Sequence, residues 1–333
     1  MPNTQPAMDS AQNLQLLKNI IEKTAAANVL ICASITCGRL GQELTDISGL
    51  KQQGALAISD DGASVDDSVL FLEALKLARE HKLVVICHSE DKSLSAKGVV
   101  NLGLTSTRLG LRGVSCASEY KRVQRDIELA QKANAAVHIA HVSCKQSVES
   151  IAQAKKKGVK VTCETAPHYF CLSEESVSEY DTNMKVNPPL RSKEDVACIR
   201  QALKEGVIDA IASDHAPHTE NDKAIEFERA EFGTIGLETE LAVSLTELVH
   251  TGLLDYSALV EKLALNPAKI LGINKGTLGV GSDADIIVVS PDKEWLVEKS
   301  GFVSKSRNSA FLGRTLKGAV DYTTLAGKIV YQG

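Results

Sequence analysis

The stretch ASDHAPHT, residues 212–219, packs Asp214, His215 and His218 into eight positions directly after the largely apolar run 207–211. Three other apolar runs end in similar chemistry: Asp60 and Asp61 after ALAIS, His88 after LVVIC, and His141 after VHIA. Imidazole together with carboxylate suits zinc or another borderline divalent ion. A carboxylate shared by two ions makes a two-metal site, in which a bridging water is activated as hydroxide. A further carboxylate beside that water can take its proton and return it. Each residue alone has a plainer reading. A strand-end histidine is commonly structural, Asp60–Asp61–Gly62 reads as a turn with a helix cap, and Asp214 can cap whatever follows it. His138 lies three residues before His141 and points to the opposite strand face, so at most one of the two faces a shared centre. Jointly, two histidines and at least two carboxylates at the ends of four buried strands point to one metal-binding rim.

The runs that must position these residues are NVLICAS (28–34), ALAIS (55–59), LVVICHS (83–89), AAVHIAHVS (135–143), VKVTCETAP (159–167) and VIDAIASD (207–214). Their continuous apolarity predicts strands buried on both faces, as in a parallel sheet. Amphipathic stretches lie between most of them. In 10–27, Leu14, Leu17, Ile21 and Ala25 share a face and Ser10 is an N-cap candidate; in 66–81, Val69, Leu72 and Leu75 share one. Segments 118–134 and 192–206 fill two further gaps. Strand–helix alternation means α/β architecture. Polar residues at several strand ends favour a (β/α) barrel, whose active site gathers at one mouth. No GxGxxG follows the first strand to favour a doubly wound sheet. After residue 235 come two helical stretches and then short strands with turns, a small β-rich piece. The expected division is 1–272, a (β/α) barrel, and 273–333, the β-rich piece.

The 333 residues are 44% hydrophobic with a net charge of −5 and no long like-charge block. That argues against a nucleic-acid or polybasic membrane surface. No apolar run approaches the roughly 18 residues of a membrane span, and MPNTQPAMDSAQ lacks the pattern of a secretory signal. The eight cysteines form no CxxC and mostly sit in or beside apolar runs, as reduced thiols of a cytoplasmic protein do.

ASDHAPHT, with HIAHVS, ICHSED, ISDDG, KVNPPLR and FGTIGLET in this set, resembles type I dihydroorotase of the amidohydrolase superfamily, from MPNT to the closing GKIVYQG. The resemblance implies a TIM-type (β/α)8 barrel and a binuclear zinc site. By it, Asp61 is the carboxylate bridging two zinc ions, His88 and His141 bind the second zinc, and Asp214 touches the first and shuttles the proton. Asn3, Asn187 and His218 match substrate-binding positions, and Gly233 matches a backbone contact in a mobile loop. His168 is left outside the site itself, as a residue that either packs or supports the site from behind. The implied reaction is the reversible closure of N-carbamoyl-L-aspartate to L-dihydroorotate in pyrimidine synthesis. Residues 219–235 are expected to act as a lid over that substrate. Many relatives use a carbamylated lysine as the bridge; the matching strand end here, ALAISDDG, has no lysine.

One departure bears on activity. The family's first strand carries a His-x-His pair for the first zinc and an arginine for a substrate carboxylate; this sequence contains no H-x-H, and MPNT falls where the family has passed its second strand. The barrel is therefore expected to be incomplete, with about six strands, open edges beginning near Val29 and Ile208, and a remnant of a composite β-sandwich at the end. Taken literally, the chain is expected to be a weak or inactive enzyme. Two other readings stand beside it: another cyclic amidohydrolase, allantoinase- or dihydropyrimidinase-like, and a non-catalytic partner of aspartate transcarbamoylase. The expected partners are a small-molecule substrate, with neither nucleic acid nor membrane, and a second copy of the chain or aspartate transcarbamoylase.

Overall fold

A computed structural model describes residues 1–95 and 97–333. Six strands form one parallel sheet: β1 (Ile31–Ser34), β2 (Ala55–Ser59), β3 (Val84–Cys87), β6 (Val137–Ile139), β7 (Val161–Thr165) and β8 (Ala210–Ile211). They are ordered β1-β2-β3-β6-β7-β8, each beside the next of the set in the chain. These are the six apolar runs of the sequence. β4 (Val100–Asn101) and β5 (Gly113–Val114) make a separate parallel pair in the connection between β3 and β6. Helices Ser68–Glu80, Cys116–Ala133 and Lys145–Lys156 follow β2, β3 and β6. Side chains from both layers join one apolar cluster that includes Leu75, Val85, Val123, Val137 and Ile151.

Local signals account for the helix boundaries. Ser10 accepts from the amide of Asn13 to cap Ala11–Thr24. A reciprocal Ser192–Asp195 capping box starts Lys193–Glu205, and Gly206 in the left-handed region ends it. The expected face of Ser68–Glu80 is wrong by part of a turn. Val69 is 76% exposed, and the buried stripe is Phe71, Ala74, Leu75 and Ala78. Counting only large apolar residues misplaced a face half made of alanine.

After residue 235 the chain forms helical segments at 240–249 and 256–271, then an antiparallel sheet ordered β11-β10-β9. Its strands are β9 (Ile286–Leu296), β10 (Thr315–Leu325) and β11 (Lys328–Gln332). Thr246 Oγ1 accepts from the amide of Lys317 at 2.8 Å, which joins the first of these helical segments to β10. Among the described residues, no helix is long and apolar enough to cross a membrane.

Candidate metal centre and active site

Asp60 and Asp61 follow β2 and divide the work between them. Asp60 is buried and accepts from the amides of Ile35 and Thr36 at 2.9 and 3.1 Å, and from the Thr36 hydroxyl. It ties the end of β1 to the end of β2. Asp61 turns toward the histidines. Its Oδ1 lies 3.8 Å from His88 Nδ1 and 3.6 Å from His141 Nε2, and those two nitrogens are 2.9 Å apart. Ligand atoms of Asp61, His88 and His141 all fall within 4.8 Å of one another. Two imidazoles and a carboxylate converging at three strand ends form a donor set suited to a divalent ion.

The backbone holds each donor firmly. The Ser64 hydroxyl donates to the carbonyl of His88 at 2.6 Å. Around His141, Ala140 donates to Cys87 of β3, Val142 donates to Glu164 of β7, and Ser143 donates to the Glu119 carboxylate. Glu119 is in turn 3.4 Å from Arg191, a fully buried guanidinium that also bonds Ser143, Asn101 and Val114. Clamped so, His141 sits at φ 38°, and Asp214, after β8, at φ 48°. Non-glycine residues seldom occupy this left-handed region, and strain of this kind clusters at functional sites.

Asp214 lies outside the close trio, with its Oδ2 3.6 Å from His168 Nε2. His168 is buried and its Nε2 has no hydrogen-bond partner. His138, by contrast, is held inside the sheet, 2.8 Å from Thr162 Oγ1 and 3.1 Å from Glu164 Oε2.

The site's electrostatics separate its two aspartates. Burial would raise the Asp61 carboxyl, but the bond from His141 and the charges of His88 and His141 outweigh it and hold it at about 2. Asp214 is pushed up to about 6, by burial first and by the negative charges of Asp61 and Glu164, against the pull of His141 and His88. Its side chain keeps 30% exposure, so enclosure alone does not account for the rise. His141 goes up to about 9, since its bond to Asp61 and the charges of Asp214 and Asp61 overcome burial. Burial, with the charge of His141, takes His168 down to about 3, so it is a neutral imidazole beside Asp214.

The remaining expected residues spread over the surroundings. Asn187 is half-buried and donates from Nδ2 to Glu90 Oε2 at 3.2 Å. His218 bonds the carbonyl of Phe232 through Nε2 at 2.8 Å. Gly233 packs so closely that a Cβ there would stand 2.6 Å from the Ala216 Cβ and 3.0 Å from His218 Nε2. Its amide donates to Lys185 and its carbonyl accepts from Lys223 and Asn308, so a substrate contact through this backbone requires the loop to rearrange. Asn3 is exposed in the segment before the first helix. His168, expected to pack or to support the site from behind, lies buried against Asp214. Glu90 has no such expectation from the sequence, although it reaches both His88 Nε2, at 3.3 Å, and Asn187. The only hint was a carboxylate two residues after a histidine ligand candidate.

A family model described as Dihydro-orotase-like matches residues 1–147. Over 329 residues the chain is 50% identical to a dihydroorotase of Elusimicrobium minutum, covering 99% of this chain and 76% of that protein. It is 47% identical to a dihydroorotase of Geotalea daltonii, over 100% of this chain and 78% of that one. Among solved structures, L-hydantoinase (dihydropyrimidinase) from Arthrobacter aurescens superposes with a TM-score of 0.89 at 27% identity, over 100% of this chain and 76% of that chain. The fold is thus the TIM-type barrel of the cyclic amidohydrolases, a metal-dependent group, and the described residues form six parallel strands of it. Identity near one half along the whole length, together with the converging donor set, places the chain in the dihydroorotase family.

Proposed function

We propose that the chain's chemistry is that of a dihydroorotase, the reversible cyclisation of N-carbamoyl-L-aspartate to L-dihydroorotate, centred on Asp61, His88, His141 and Asp214. The observation that carries the reading is the convergence of Asp61, His88 and His141 within 4.8 Å at adjoining strand ends. Those three residues would hold a divalent ion, and the two imidazoles and one carboxylate favour zinc. When bound, such an ion supplies Lewis-acid polarisation of the amide carbonyl. Asp214 takes the proton of the attacking water and delivers it to the leaving amide nitrogen; in the synthetic direction it works in reverse. A carboxyl raised to about 6 is ionised at neutral pH yet basic enough to carry that proton. The neutral imidazole of His168 lies against Asp214 Oδ2 and steadies it. Asn3, Asn187, His218 and Gly233 form the substrate side.

The other barrel metal position has, of the expected ligands, only Asp61 and Asp214 in this sequence. All eight cysteines are free thiols, which supports a reducing, cytoplasmic setting. Assembly as a homodimer or with aspartate transcarbamoylase belongs to the same reading and is tested by co-purification.

The hydantoinase superposition supports a second reading, hydrolysis of a related cyclic amide. β2 and the residues after it supply Ser59, Asp60 and Asp61 but no lysine to bridge two ions. The deciding experiment measures hydrolysis of dihydroorotate and of hydantoin by the zinc-loaded chain and by Asp214→Asn. Dihydroorotate turnover that falls about 10²- to 10⁴-fold in Asp214→Asn supports the first reading. Turnover of hydantoin without dihydroorotate replaces it with the second.

A further inference from the structure

We propose that Glu90 is a positioning residue, one carboxylate oxygen of which ties the metal-side His88 to the substrate-side Asn187. The inference rests on the dihydroorotase reading for the roles of those two partners. Oε2 of Glu90 is 3.3 Å from His88 Nε2 and 3.2 Å from Asn187 Nδ2. The two partners come from distant parts of the chain, 97 positions separating Glu90 from Asn187.

A carboxylate only accepts hydrogen bonds. His88 must therefore carry its proton on Nε2, which leaves the Nδ1 lone pair facing Asp61 Oδ1 and His141 Nε2. Asn187 spends its amide nitrogen on the same oxygen, so its Oδ1 is turned away from Glu90 and is free to accept. One side chain thereby sets the tautomer of a ligand and the amide orientation of a substrate group. This is the carboxylate–histidine–metal arrangement that orients ligands in general, extended here to the substrate side.

Glu90 is suited to the task. Its side chain is 19% exposed, and its amide is directed at both Ser64 Oγ and the His88 carbonyl.

The test compares wild type, Glu90→Ala and Glu90→Gln, each first shown to be folded by circular dichroism. Glutamine keeps an oxygen that can accept both bonds but loses the charge. In the metal-free chain, nitrogen NMR of labelled histidine should find His88 protonated on Nε2 in wild type and Glu90→Gln, and mixed between tautomers in Glu90→Ala. Zinc affinity, read by competition with a chelating dye, should fall about 10- to 100-fold in Glu90→Ala. KM for dihydroorotate should rise in Glu90→Ala and return toward wild type in Glu90→Gln. A folded Glu90→Ala with wild-type tautomer and zinc affinity overturns the proposal. If wild type fails to turn over dihydroorotate, the functional reading falls, and the tautomer comparison still decides the role of Glu90.

Discussion

Two neighbouring aspartates show how closely residue type and residue role can diverge. Asp60 is bonded to two buried amides and a hydroxyl at the end of β1, while Asp61 faces two imidazoles. Asp60→Ala strips acceptors from the amides of Ile35 and Thr36, at about 1–3 kcal/mol for each buried donor left unpaired. Thermal melting should show Asp60→Ala lowering Tm by about 5 °C or more, with metal binding reduced only as far as β2 shifts. Asp61→Ala should do the opposite, with a smaller change in Tm and loss of most bound zinc on dialysis. Equal Tm losses with equal metal retention would show that the two carboxylates share one job. The sequence distinguished these residues only through family spacing, because both follow the same strand and both fit a turn. Glu90 and His168 were harder to read. Their partners, Asn187 and Asp214, lie far along the chain, and no local pattern encodes a contact made by folding.

At the scale of elements, what could be read was what local periodicity controls. Six continuous apolar runs became six parallel neighbours, since a strand covered on both faces has no polar side to display. The segment 219–235 was less legible. It reads as a polar loop, yet Glu220–Lys223 is helical and two buried lysines hold the rest from within. Lys185 Nζ donates to the carbonyls of Phe227, Glu228 and Ala230 and lies 4.5 Å from the centre of the Phe232 ring. Lys223 Nζ donates to the carbonyls of Glu231 and Gly233. Backbone carbonyls occur at every position, so nothing in the sequence marks these as lysine partners. The loop also carries Phe232, whose carbonyl fixes His218. Lys185→Met should free three carbonyls and cost the loop about 1–3 kcal/mol, which is roughly ten- to hundredfold faster amide exchange over residues 224–233. KM should rise with it as His218 loses its anchor. Unchanged exchange in that segment would show that the lysine is incidental to the loop.

For the whole molecule, the decisive feature is a parallel sheet with two ends. Its edges were expected to be equally bare, beginning near Val29 and Ile208, and the structure corrects this for one of them. On the β1 side, Val29 and Leu30, just before the strand, are 47% and 48% exposed, while Ile31–Ser34 are buried, with the Ser34 amide donating to the Met8 carbonyl and the Thr45 hydroxyl donating to the Ser34 carbonyl. On the β8 side, Ile208 is fully buried. Lys262 Nζ donates to its carbonyl at 2.7 Å, and Asn266 Nδ2 donates to the carbonyl of Asp209 at 2.9 Å. Helical residues therefore blunt this edge, as proteins commonly do where a strand would otherwise template pairing. The asymmetry has a measurable outcome. Amides of residues 29–33 should exchange with solvent at least about tenfold faster than those of 208–211, because exposed residues lead into β1 and an edge with few outer partners opens locally at low cost. β3 and β6, at the centre of the sheet and furthest from either edge, should exchange slowest. Lys262→Met removes the buried ammonium from the Ile208 carbonyl and should bring 208–211 up toward the rate of 29–33 while leaving β1 unchanged. If the two edges already exchange alike in wild type, Lys262 and Asn266 do not protect β8, and association of this polypeptide through its sheet should involve both ends. If they differ as expected, association should run through β1 alone, and a lysine placed at Leu30 should suppress it in light scattering.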